Sequence, residues 1–171
     1  MRVVDPIRGT DCAAREVGEV WLRGPNVMAG YHGRPDDTAA AITADGWLRT
    51  GDGGYLDEEG YLFLTDRIKD MVVSGGENVY PVEVEEVLSQ HPAVAEVTVI
   101  GIPDDRWGEA VMAVVVAAPG TALSADELIG FARDRLARYK IPNTVDFVTE
   151  LPRTPTGKVL KRELRERYAQ N

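Results

Sequence analysis

Three stretches of the chain hold more glycine, charge and proline than folding requires, and each offers a different chemistry. Thr50-Gly51-Asp52 sets a carboxylate beside a glycine. A carboxylate so placed can accept hydrogen bonds from both hydroxyls of a vicinal diol such as a ribose, and the glycine lets the ligand approach the backbone. The same tripeptide also suits a plain turn. Asp66-Arg67-Ile68-Lys69-Asp70-Met71-Val72-Val73-Ser74-Gly75-Gly76-Glu77-Asn78 begins with four charged side chains at a change in sequence character. That fits a hinge whose charges trade partners between two arrangements, and Ser74-Gly75-Gly76 then offers bare backbone past which an extended ligand could run. A charged linker followed by a glycine bulge is the simpler alternative. Pro152-Arg153-Thr154-Pro155-Thr156-Gly157-Lys158 is stiffened by two prolines and freed at Gly157. It delivers the Lys158 ammonium as a compact donor for a phosphate or carboxylate that gains charge in a transition state. It is not a Walker A loop, because Pro152 stands where that loop has glycine and Val159 where it has the magnesium-binding hydroxyl.

The elements that would carry these stretches differ along the chain. In residues 1–66, Gly18 to Arg23 reads as a strand, and Pro35-Asp36-Asp37-Thr38 reads as the cap of a short helix through Ala39-Ala40-Ala41-Ile42. Trp47 to Thr50 reads as a strand that stops at Gly51-Asp52-Gly53-Gly54. Tyr55-Leu56 and Tyr61 to Leu64 flank Asp57-Glu58-Glu59-Gly60 as a hairpin. From residue 67 the pattern becomes mixed. Pro81 opens a helix ending near Gln90, Ala93 to Ile102 and Ala110 to Ala118 are strands, and Ser124 with Glu127 caps a long helix to about Lys140. Val145 to Val148 and Val159 to Tyr168 complete a strand and a basic helix. On that helix–strand–strand–helix–strand–helix order the fold class is α+β: a small β-rich N-terminal piece, then a compact unit whose packed helices lie on one face of a small sheet. Residues 67–171 are long enough to close their own core. Residues 1–66 lack a second layer, so their apolar face invites artificial self-association.

Composition narrows the partners. The 171 residues carry 19 Lys+Arg against 28 Asp+Glu, a formal charge of −9, which offers no electrostatic footprint for duplex nucleic acid. Residues 151–171 reverse the sign locally, with six basic and two acidic side chains, which suits a small anionic ligand. The longest apolar run, Val111 to Ala118, is far below the ~20 residues that span a bilayer, and there is no signal pattern at the N-terminus. A cytoplasmic location is the expectation. A single cysteine, Cys12, excludes an internal disulfide, and His32 and His91 lack ligand spacing. Trp107 reads as a lid on the sheet and Tyr139 as a core residue of the long helix.

Taken in order, Trp47-Leu48-Arg49-Thr50-Gly51-Asp52, the run from Asp66 to Pro81, and Pro152 to Lys158 resemble the adenylate-forming (AMP-binding) enzymes, specifically the fatty acyl-CoA synthetase branch of acid–CoA ligases. The resemblance extends from about Gly18 to Tyr168. It implies an AMP-forming acid–thiol ligase that activates a carboxylic acid with ATP and Mg2+, releases pyrophosphate and passes the acyl group to coenzyme A. It further implies that Asp52 binds the ribose hydroxyls, that Arg67 contacts the same nucleotide, and that Lys69 is the hinge. Lys158 would reach the substrate carboxylate and α-phosphate. Gly75 and Gly76 would border the pantetheine tunnel, with Trp107 and Tyr139 as further wall residues.

The resemblance also has gaps. The family's Ser/Thr/Gly-rich phosphate loop and its acyl pocket are absent. Residues 1–66 then correspond to the last β-rich subdomain of a large N-terminal AMP-binding domain, and residues 67–171 to the mobile C-terminal lid. Met1 would be an internal methionine, and the isolated chain is expected to be inactive. Two other readings stay open: an amino-acid-activating domain that loads a carrier protein, and a non-catalytic binding module. Against the first, Met71 to Asn78 matches the CoA ligases rather than the polar-basic run of the amino-acid activators.

Overall fold

The computed structural model describes residues 1–169, which fall into two units: Met1–Lys69 and a second beginning at Asp70. In the first, strands β1 (Arg2–Val4), β2 (Gly18–Leu22), β3 (Leu48–Leu56) and β4 (Leu62–Arg67) form an antiparallel sheet in that order, with helix α1 (Pro35–Ala41) between β2 and β3. The β3–β4 hairpin closes as expected, with Asp57 N–H donating to the Tyr61 carbonyl at 3.0 Å. Two expectations are corrected. Strand β3 does not stop at the glycines but runs through them, because neighbouring backbone crowds in: a Cβ on Gly54 would lie 2.6 Å from the Phe63 carbonyl oxygen. Helix α1 starts at Pro35 itself and has no side-chain cap; the Thr38 hydroxyl instead donates to the Arg34 carbonyl within the first turn.

The register puts Arg2, Trp21 and Arg49 on one face of this sheet, with Val3 and Val20 on the other. On the first face Arg23, Trp47, Arg2, Trp21 and Arg49 alternate as stacked guanidinium and indole groups, 4.5–5.0 Å from charge to ring centre. Stacking of this kind, worth about 0.5–1 kcal/mol per contact at exposed sites, supplies a partial layer on that face. Phe63 and Leu64 of β4, and Tyr61 just before it, are exposed. Burial, with Glu16, Asp5 and Asp11 nearby, pushes the Cys12 thiol up to about 11. A raised thiol pKa leaves little thiolate near neutrality, so alkylation of Cys12 at pH 8 is expected to run about a hundredfold slower than that of free cysteine. Mass spectrometry after timed iodoacetamide exposure measures this, and a rate equal to free cysteine would contradict it.

The second unit contains β5 (Val72–Ser74), β6 (Glu77–Val79), α2 (Pro81–Ser89), β7 (Val94–Asp104), β8 (Gly108–Ala117), α3 (Ala125–Arg133), a 3-10 turn (Arg138–Lys140), β9 (Thr144–Phe147) and α4 (Lys161–Tyr168). Its sheet runs β6-β5-β8-β7, and β9 lies parallel to β8. The architecture is α+β, as expected, but helices cover both faces of the sheet rather than one. Val111, Ala113 and Val115 pack with Val84 and Leu88 of α2 and Leu128 of α3, whereas Met112 and Val114 pack with Leu151 and Leu164 of α4. The physical cause is β8 itself, a continuous apolar run that must be buried on both sides.

Ser124 caps α3, its hydroxyl oxygen accepting from Glu127 N–H at 3.2 Å. The helix, however, ends at Arg133 rather than near Lys140. Leu136 and Ile141 pack against the core, and Lys140 Nζ donates to both Glu83 carboxylate oxygens at 2.6 Å. These long-range contacts outweigh helix propensity and leave Tyr139 on a 3-10 turn, 42% exposed instead of in the core. Among the described residues no helix is long and apolar enough to cross a membrane.

Candidate functional site

Within the first unit, Asp52 and Arg67 face each other across the β3–β4 ladder. Their side chains are half-exposed, with Arg67 Nε 3.3 Å from Asp52 Oδ1. The pair is close enough for attraction but not aligned as a hydrogen bond, so among the described residues the buried Arg67 Nε–H has no acceptor. Gly51, at φ +72, makes the turn of backbone that a side chain would resist, and its N–H donates to Glu19 Oε1 at 2.9 Å. The result is a half-exposed carboxylate and an under-used guanidinium side by side, a combination that accepts from hydroxyls and donates to an anionic or carbonyl oxygen.

In the second unit, Gly75 and Gly76 form the two-residue turn between β5 and β6, both at positive φ (+60 and +85). Two residues joining antiparallel strands with positive φ at both is the turn that matches strand twist. The Gly-Gly pair signals such a hairpin in the sequence, where it reads instead as a bulge or bare passage. The indole of Trp107 lies over Gly75, and the Gly75 N–H donates to the Trp107 carbonyl at 2.9 Å. Trp107 itself sits in the β7–β8 turn, whose shape is fixed by Asp104 Oδ1 accepting from the N–H groups of Arg106 and Trp107.

Gly75, Trp107 and Tyr139 line one groove of about 620 Å³ together with Arg106 and Arg138. Among the described residues Glu77 is its one acidic side chain, so the charge balance favours an anionic ligand. Neither arginine is singled out by the sequence; Arg138 owes its place to the 3-10 turn that Lys140 and Glu83 hold down. Burial opposes the Lys140 charge, but the Glu83 carboxylate outweighs it and the ammonium pKa is raised. The contact therefore holds at neutral pH and is lost only as pH climbs past the ordinary lysine range.

Lys158 is not among the residues lining that groove. It stands on a separate loop whose backbone is pinned at both ends. Thr154 N–H donates to the Lys158 carbonyl at 2.8 Å, Lys158 N–H donates to Thr154 Oγ1 at 3.0 Å, and the Arg153 guanidinium donates to the Gly157 carbonyl at 2.6 Å. Arg153 also pairs with Glu96 of β7, tying the loop to the sheet. The Lys158 side chain is exposed, and among the described residues nothing pairs with its ammonium. The loop is thus held by its own hydrogen bonds while the Lys158 ammonium points to solvent. Lys69 is also exposed, on the short 3-10 turn Ile68–Asp70, whereas the next residue, Asp70, is buried against Arg165 of α4 at 2.6 Å. Among the described residues no cluster of three or more His, Cys, Asp or Glu side chains could hold a metal ion.

Residues 83–158 match the family described as the AMP-binding enzyme C-terminal domain. A CoA ligase of Rhodococcus jostii, named for a dioxo-octahydro-indenyl propanoyl acyl group, is 52% identical over 94% of this chain and 31% of its own length. The fatty acid–acyl-carrier-protein ligase ScoC of Streptomyces coeruleorubidus is 50% identical over 98% of this chain and 32% of its own. Among solved structures, ATP-bound MatB of Rhodopseudomonas palustris superposes with a TM-score of 0.92 at 40% identity, over 98% of this chain and 33% of that one. The chain thus spans about a third of the length of the curated relatives it matches.

Proposed function

The chain belongs to the adenylate-forming (AMP-binding) superfamily, on its acid–CoA ligase branch, and from that premise we propose that it serves as the C-terminal part of an ATP-dependent ligase that joins a carboxylic acid to coenzyme A. Residues 1–66 act as the last β-rich subdomain of an AMP-binding domain, and residues 67–171 as a lid that pivots at Lys69. The observation that carries this reading is the separation of tools within one compact unit: a cation on a pinned loop at Lys158, and elsewhere a groove that collects Gly75, Trp107 and Tyr139. Two half-reactions need two such tools.

In adenylation, a carboxylate oxygen of the acid bonds to the α-phosphorus of ATP, and the bond to pyrophosphate breaks. The Lys158 ammonium donates to the acid carboxylate and to the α-phosphate oxygens, which gain charge in that transition state. Asp52 accepts from the ribose hydroxyls. Arg67, whose Nε–H has no acceptor among the described residues, donates to the nucleotide while its charge orients Asp52. Both groups fit ATP. Mg2+ travels with the phosphates and needs only one or two carboxylates; among the described residues no cluster of three or more His, Cys, Asp or Glu side chains could hold it.

In the second half-reaction, the acceptor thiol forms a bond to the acyl carbonyl carbon, AMP departs with the electron pair of the broken anhydride, and the thiol proton passes to solvent or to the released phosphate. The Gly75-Gly76 turn, Trp107 and Tyr139 guide the pantetheine arm and exclude water from the mixed anhydride. A pantetheine arm is common to coenzyme A and to a loaded carrier protein, and comparing the two acceptors in one assay separates them. A fatty acid is the first acid to supply.

The test joins this chain to the N-terminal AMP-binding region of a relative and measures ATP–pyrophosphate exchange and thioester formation. Exchange with a fatty acid followed by CoA thioester supports the reading, whereas neither activity in a folded protein removes it. In that enzyme Asp52→Asn is expected to raise the KM for ATP about tenfold, the order expected for a lost charge-assisted hydrogen bond, with the KM for CoA unchanged. Equal changes in both constants would argue against a nucleotide role.

A further inference from the structure

Strand β5 carries the Gly75-Gly76 turn, yet it is joined to β8 through a single residue pair, Ser74 with Gly108. Such a short ladder leaves the hairpin tip under-determined. The base of the hairpin is secured by Val72 and Val79, both fully buried in the core. At the tip the Gly75 N–H donates to the Trp107 carbonyl at 2.9 Å, and a second tie reaches the strand just before it. The Val73 N–H, next to the turn, donates to Glu109 Oε2 at 2.7 Å. Glu109 lies on β8, 36 residues away in sequence.

The place where its carboxylate rests is made by a missing side chain. A Cβ on Gly101 of β7 would lie 2.8 Å from Glu109 Oε1 and 3.0 Å from the carboxylate carbon. Gly101 has no left-handed backbone that would call for glycine, so space is the reason glycine is needed there. One oxygen of the carboxylate therefore occupies the gap on β7, and the other reaches across to β5. A charge-assisted bond of this length is among the stronger hydrogen bonds.

We propose that Glu109 is a positioning residue for the acceptor groove: its carboxylate, seated in the space Gly101 leaves, holds the Gly75-bearing hairpin where Gly75 and Trp107 meet. Glu109 does not touch the acceptor; it acts through the Val73 amide. The inference rests on the reading of that groove as the site of the acceptor thiol. It adds a residue and a mechanism to that reading, since it predicts a loss confined to the second half-reaction. A residue important only for stability would weaken both half-reactions together.

The experiment uses three variants. In this chain, Glu109→Ala is expected to accelerate hydrogen exchange of the Val73 amide about tenfold while the amides of β7 and β8 stay protected, so the core remains folded. Glu109→Gln keeps a carbonyl oxygen for the Val73 N–H and is expected to restore most of the protection. Gly101→Ala should push the flexible carboxylate aside although Glu109 is intact, and because its Cβ would also lie 3.1 Å from Val72 Cγ1 its effect on Val73 exchange is expected to equal or exceed that of Glu109→Ala.

In the ligase joined to a relative's AMP-binding region, Glu109→Ala and Gly101→Ala are expected to raise the KM for CoA about tenfold, with ATP–pyrophosphate exchange within about twofold of the parent. Unchanged Val73 exchange in Glu109→Ala overturns the proposal. So does an unchanged KM for CoA in an enzyme whose parent makes thioester, or an equal fall in both half-reactions. If the parent makes no thioester at all, the functional reading fails instead, and the Val73 exchange alone decides whether Glu109 holds the hairpin.

Discussion

Lys158→Ala is expected to slow adenylation by about 100- to 1,000-fold in the joined ligase, while thioester formation from preformed acyl-adenylate stays within about threefold. The size follows from removing one preorganised donor aimed at developing charge. The asymmetry follows from where Lys158 sits, on a loop apart from the groove that holds Gly75, Trp107 and Tyr139. Stability should barely change, because the side chain is exposed and the loop is held by Arg153, Thr154 and Gly157 through backbone groups the substitution leaves in place. Lys158→Arg keeps the charge but spreads it over a planar fork and lengthens the reach, so it should recover only part of the rate. ATP–pyrophosphate exchange measures the first step, and a rapid-quench assay on supplied acyl-adenylate measures the second. Equal losses in both would show that Lys158 serves the fold or the groove rather than the phosphate.

Gly75→Ala carries the second large effect, on the other half-reaction. Two costs add. A left-handed φ of +60 costs a non-glycine residue about 1–2 kcal/mol, and a Cβ there would lie 2.8 Å from Trp107 Cε3, an overlap of the kind that costs about 1–3 kcal/mol in packed surroundings. Trp107 is 43% exposed and can swing away, so relief comes partly at the expense of the groove wall. The KM for CoA is expected to rise by about thirtyfold or more, with adenylation retained. Gly76→Ala is the internal control, since its Cβ meets nothing within 4 Å and it bears only the backbone cost. The difference between the two variants in CoA kinetics, and in tryptophan fluorescence, reads the Trp107 contact directly. Identical behaviour would mean that Trp107 does not shape the site.

Much of this is legible in the amino-acid sequence. The β3–β4 hairpin, the proline-initiated α2 and the Ser124 cap are written in contiguous residues, because turns and caps depend on backbone geometry within four or five positions. The three chemical stretches are legible for the same reason: each keeps its glycine or proline next to the group it presents. Other features could not be read that way. The path of β3 through Gly53 and Gly54 follows from the closeness of β4. The early end of α3, and with it the exposure of Tyr139 and the entry of Arg138 into the groove, follows from Lys140 meeting Glu83 at a separation of 57 residues. Asp70 reads as one of four junction charges, yet Arg165, 95 residues on, buries it.

By itself, then, the order of residues determined most of the local pieces and the α+β class, and it marked which side chains are candidates for chemistry. Backbone preference and short-range hydrogen bonding act on neighbours and leave their mark on neighbours. The tertiary structure alone decided that helices cover both faces of the sheet, that Gly75, Trp107 and Tyr139 share one groove while Lys158 stands apart, and that Glu109 reaches Val73. Those outcomes depend on burying β8 from two sides and on charges that find partners only once distant segments are packed together, a condition no local window of the chain contains.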